Sequence, residues 1–255
     1  MLLSQPPPWP KGVPRIWKPL AHVAGPPMSR RQRADALALQ HALDVADREH
    51  NLQCSALTGT WTETMFAETA DHTAHASSAA EGSLLAGTNQ QPAIPALFFS
   101  PGGNANLGRG RCVGLHAMGL FSTTGTPTLT FQVRASTTAG SSTLSGASLG
   151  VSAAITTGSG VTSKQWELVL ELTCRVAGQG TNLTTLCGAG WVRSPGGFAA
   201  PYDYAIQPTT PDTATWTMAT FDASLTYFIN LSATWSASSA SNTIVCKTLR
   251  CYGRN

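Results

Sequence analysis

Thirteen acidic residues and six histidines supply the acid–base groups of this 255-residue chain. The best-placed carboxylates are Glu167 and Glu171. They share one face of a strand-like run and stand four residues apart, about 13 Å by strand rise. Carboxylates that cleave glycosidic bonds sit roughly 5–9.5 Å apart, so these two read as solvent-facing groups on an exposed sheet. Asp71-His72-Thr73-Ala74-His75 places two histidines beside an aspartate. No third metal ligand follows at a known interval, so both histidines are expected in an exposed loop. Residues 102–110 superficially resemble a phosphate loop, but no Lys-Ser/Thr follows and no strand–loop–helix context surrounds them. The expectation is a protein that is not an enzyme and takes no cofactor and no metal.

Two other residue sets bear on chemistry. Phe198, Tyr202 and Tyr204 cluster in a Pro/Gly-rich stretch over 194–212. Aromatic rings there can stack on sugars, and a packed strap has the same composition. Six cysteines are present, Cys54, Cys112, Cys174, Cys187, Cys246 and Cys251, with no Cys-x-x-Cys spacing. That argues against a zinc ribbon and for free thiols acting as small apolar groups. Cys246 and Cys251 are an odd number of residues apart, so on one regular strand they face opposite ways and do not bridge.

The elements that must position these groups are organised around Trp166–Val176. Trp166, Leu168, Leu170, Leu172, Cys174 and Val176 alternate with Glu167, Glu171, Thr173 and Arg175, and Val169 alone breaks the pattern. Period two means a strand with one buried face, roughly 36 Å long. The rival is a helix, because Glu167, Glu171 and Arg175 are also four apart. No cap precedes the run, and six apolar residues at strict alternation would wrap round a helix, which favours the strand. Similar signals predict strands over 112–121, 128–134, 148–156 and 183–193, a long loop over 194–212, a hairpin of 213–222 with 225–235, and a closing strand over 243–252. A weaker candidate covers 60–66. Roughly eight strands with turn signals every 8–15 residues imply an antiparallel β-sandwich over 111–255. A jelly roll is the expected topology, and an immunoglobulin-like sandwich is the next.

The N-terminal part differs. Eight of the sixteen prolines fall within residues 1–27, so 1–28 is expected to be an extended arm, partly polyproline II. Trp9, Arg15, Ile16 and Trp17 lie along it and suit docking on another protein, since aromatic anchors carry much of an interface's energy. Folding back over its own domain is the alternative. Ser29 and Gln32 form a capping box that opens a helix over 29–50. Arg30, Arg31 and Arg33 in its first turn oppose the helix dipole, which fits either an acidic partner or a solvated face. Residues 51–110 read as a linker with the first short strands.

Composition narrows the partners. Charged residues are 11% of the chain, under the usual quarter, which suggests a surface that meets protein as well as water. A net charge of +3 without a clustered basic face gives no reason to expect nucleic acid. No apolar run is long enough for a transmembrane helix, and the first residues lack the pattern of a signal peptide, so neither membrane insertion nor secretion by the usual route is expected.

Two passages carry a family likeness: Gly119–Phe131, reading GLFSTTGTPTLTF, and Ala233–Ile244, reading ATWSASSASNTI. Together with Trp166-Glu167-Leu168 they make the chain over about 80–252 resemble virion structural proteins of tailed bacteriophages, described as minor capsid, head-decoration, head-fibre or minor tail proteins. The resemblance implies a β-sandwich, often in homotrimers, attached outside a particle, with the major capsid protein or other virion proteins as partners. It carries no catalytic motif, and residues 1–50 lie outside it. The expected role is a non-enzymatic decoration or minor capsid protein on the virion surface, with the arm docking on the shell. The alternative is a tail-associated or receptor-binding protein whose Phe198, Tyr202 and Tyr204 contact host glycan. An accessory domain of a carbohydrate-active enzyme is a third reading.

Overall fold

Alternation at period two dominates the observed structure. It is a computed structural model that describes residues 62–254 apart from 69, 88–90, 102–107, 143, 182 and 208–216. The arm and the helix expected over 29–50 lie outside the described residues. So do Trp9, Arg15, Ile16, Trp17, Arg30, Arg31, Arg33, the loop 102–107 and Cys54. The strands in chain order are β1 Thr62–Ala67, β2 His75–Ala76, β3 Gly82–Ser83, β4 Ala93–Ile94, β5 Cys112–Ser122, β6 Thr128–Ser136 and β7 Ala147–Ser152. They continue with β8 Ile155–Thr156, β9 Lys164–Val176, β10 Thr184–Arg193, β11 Asp203–Gln207, β12 Thr217–Phe221, β13 Tyr227–Trp235 and β14 Thr243–Arg254.

Every pairing is antiparallel, and the main path runs β1-β14-β5-β9-β10-β11-β7-β6-β13-β3. The path turns back at β11, so β14-β5-β9-β10 packs face to face against β7-β6-β13. Phe131 of β6 lies 5.2 Å from Trp166 of β9, and Phe121 of β5 lies 6.4 Å from Trp235 of β13, centroid to centroid. This is the packing of a β-sandwich. Trp166, Leu168, Leu170, Leu172 and Cys174 all point into the core, as the alternation requires. Val169 sits half-buried on the opposite face.

Two expectations are corrected. The hairpin of 213–222 with 225–235 does not form: β12 pairs with the start of β10, while β13 lies between β6 and β3. The loop 194–212 contains β11, which bridges β10 and β7 through only a few residues, too short a run to show period two. The first short strands expected within 51–110 are present and join the sheet. β1 and β2 flank β14, β3 and β4 flank β13, and Ile94, Phe98 and Phe99 enter the core.

A third correction concerns the cysteines. Cys246 and Cys251 both face inward, fully buried. The reason is a β-bulge between Cys246 and Thr248 that leaves Lys247 as the extra, exposed residue. One inserted residue flips the phase of everything after it. The described cysteines are free thiols, as expected.

Candidate functional site

The outward face of β9 carries the most densely connected polar group on this side of the sheet. Glu167 stands opposite Met118 of β5 and Arg193 of β10. His116, on the same face of β5, lies diagonal to it, within reach for a cross-strand pair. The imidazole Nε2 is 2.8 Å from Glu167 Oε1. Arg193 Nε donates to Glu167 Oε2 at 2.8 Å, and Nη2 is 2.7 Å from the same oxygen. Two residues earlier on β10, and so on the same face, Trp191 lies under the guanidinium, 4.6 Å from ring centroid to Cζ. Burial alone would raise the Glu167 carboxyl. The hydrogen bonds from Arg193 and His116 outweigh it and hold the group below its usual value.

Beside this chain of contacts lies a depression of about 450 Å³ lined by Gln165, Trp166, Glu167, Arg193 and Pro195. Its loop wall is pinned: buried Ser194 donates its hydroxyl to the Gln165 carbonyl at 2.5 Å. Of these residues the sequence singles out Glu167, as a solvated carboxylate, and Trp166, as a core residue. Parity along each strand places His116, Trp191 and Arg193 outward. Their convergence needs the order β5-β9-β10 and its register, which parity does not give.

The other sequence-derived candidates fall differently. Phe198 is 2% exposed and packs on Phe121 and Phe131, so it cannot stack on a glycan and is withdrawn from that role. Tyr204 lies edge-on to Phe198 at 5.8 Å, and its hydroxyl reaches the Ala199 carbonyl at 3.3 Å. Tyr202 presents its ring to solvent at 51% exposure. The structure therefore does not bring the three together as one open surface.

His72 and His75 are not exposed loop residues. His72 Nε2 is 2.6 Å from Glu68 Oε2, and both side chains are wholly shielded from solvent. The chain between β1 and β2 passes the β14 bulge here, with Glu68 N donating to the Leu249 carbonyl at 2.8 Å and His72 N to the Cys246 carbonyl at 3.4 Å. Burial pulls the His75 imidazole below its usual value, against a backbone hydrogen bond with Ala80. Among the described residues no three His, Cys, Asp or Glu side chains converge as a metal site. Asn230 is buried and bonded to Ser83 and the Ser141 carbonyl.

No family model, no curated protein and no solved structure matches this chain.

Proposed function

We propose that this chain is a non-enzymatic structural protein of a tailed-phage virion, attached outside the capsid as a decoration or minor capsid protein, with the N-terminal segment docking on the shell. The observation that carries the reading is the outward face of β14-β5-β9-β10. Val245, Leu120, Met118, Val169 and Trp191 form a diagonal across four strands at positions where a sheet facing water places polar residues. Apolar residues on a sheet's outer face support protein contact. The charges around them support it too. Glu167 is tied to Arg193, and Glu171 to Arg254, so this face adds little net field.

The jelly-roll topology belongs to the same proposal. Consecutive strands β5 and β6, and β13 and β14, lie in opposite layers, the crossing pattern such a fold uses. Homotrimerisation and contact with the major capsid protein come from the family resemblance. The glycan-contact alternative is left with Tyr202 alone of its three aromatic residues.

Imaging purified virions with a label on this chain tests the reading. Label repeated over the head surface is the expected result, and particles free of label overturn it. Deleting residues 1–50 should leave the β domain folded and unable to bind particles. Binding of the truncated chain at full occupancy refutes arm docking.

A further inference from the structure

Arg193 is 47% exposed at its side chain, yet it is held from two sides, one of them itself braced. Glu167 grips Nε and Nη2 at 2.8 and 2.7 Å, His116 fixes Glu167 at 2.8 Å, and Trp191 supports the guanidinium plane at 4.6 Å. A free surface arginine keeps most of its rotamer freedom, and fixing it opposes that entropy. Here the ordering is built in before any ligand arrives. The contacts with Glu167 use Nε and Nη2 and leave Nη1, and Arg193 lines the depression of about 450 Å³. A preorganised guanidinium edge is the protein group best matched to a carboxylate. The depression is larger than a lone carboxylate fills and falls in the range of small-molecule sites. Gln165, whose amide nitrogen lies 3.8 Å from Met118 Sδ, and Pro195 also line it; an amide suits hydroxyl groups and a pyrrolidine ring suits the apolar face of a sugar. Glu167 offsets the arginine's charge, so selectivity there rests on the shape of the donor fork rather than on net field.

We infer that the depression between Gln165, Arg193 and Pro195 is a binding site for a carboxylate-bearing sugar, with Arg193 as its anchor and Glu167, His116 and Trp191 as positioning residues. The site shares the outward face that the functional reading assigns to protein contact, but its test uses the isolated chain, so failure here and failure of that reading are told apart.

The test uses the full-length chain with glucuronate, glucose and acetate as probes, read by calorimetry and saturation-transfer NMR. Glucuronate should bind saturably with a dissociation constant on the order of 1 mM, at least tenfold tighter than either glucose or acetate. Arg193→Lys keeps the charge and loses the fork, and should weaken glucuronate about tenfold while the far-ultraviolet spectrum stays that of the parent. Trp191→Leu should weaken it severalfold. Glucose binding as tightly as glucuronate overturns the carboxylate assignment. Acetate binding as tightly overturns the sugar assignment. Absence of saturable binding by the unmodified chain overturns both, and that comparison needs no variant to fold.

Discussion

Changing Glu81 to Gln should cost this fold about 2 kcal/mol, a figure that follows from three contacts. Arg134 of β6 donates Nε and Nη2 to the Glu81 carboxylate at 2.9 and 2.8 Å, and Ser232 of β13 adds its hydroxyl at 2.5 Å. The carboxylate therefore ties β6 and β13 to the segment entering β3. Hydrogen bonds to a charged group contribute roughly 1.5–3 kcal/mol each. The pair is partly open to water, with side-chain exposures of 21% and 25%. Gln also keeps one acceptor for the guanidinium, which brings the net loss to about 2 kcal/mol. For a domain of this size that is roughly 4–8 °C in Tm. The hydrogen bonds from Arg134, opposed by burial and aided by Ser232, hold the Glu81 carboxyl below its usual value. A depressed folded-state pKa stabilises the fold fully above the unfolded value, near 4.3. That contribution disappears as pH falls through the lower folded value. Urea denaturation of parent and Glu81→Gln at pH 7, and again across pH 5 to 2, measures both. A loss below about 0.5 kcal/mol at pH 7, or the same acid slope in both proteins, would refute the argument.

Three further outcomes are expected. Trp166→Ala should cost about 3–5 kcal/mol by denaturant titration, since it empties a fully buried site packed on Phe131. Gly114→Val should destabilise by about 1–3 kcal/mol in the same assay. Any Cβ at Gly114 would lie 2.1 Å from the Tyr252 ring, which rests across β5 at that position. In native protein at pH 8, iodoacetamide should label Cys112 and Cys187 but leave Cys246 and Cys251 unmodified, by peptide mass spectrometry. Burial pushes both of the latter thiols up to about 12, and both are sealed in the core. Rapid labelling of Cys246 would mean that the β14 bulge is placed elsewhere.

Where one strand carries a long uninterrupted alternation, its local character was legible. The strand from Lys164 to Val176 and the inward set from Trp166 to Cys174 follow directly from period two, because side-chain direction on a strand is a local property. The free cysteines and the antiparallel, mainly β architecture were readable on the same grounds. Local reading failed where one residue changes the phase, as Lys247 does in β14. It also failed at β11, whose few residues give no period to count, and at the buried His72–Glu68 pair, which looks like loop in one dimension.

Pairing is what the chain could not announce. Glu167, His116, Arg193 and Trp191 are up to 77 positions apart in sequence, and each by itself is an ordinary outward residue. The order β5-β9-β10, with Glu167 opposite Arg193 and diagonal to His116, makes them one fixed assembly. Phe198 shows the converse: its composition suggested an open aromatic loop, and packing against Phe121 and Phe131 placed it in the core. Periodicity is written residue by residue, whereas strand order and register are chosen by the burial of whole faces against one another, an energy that no single segment contains.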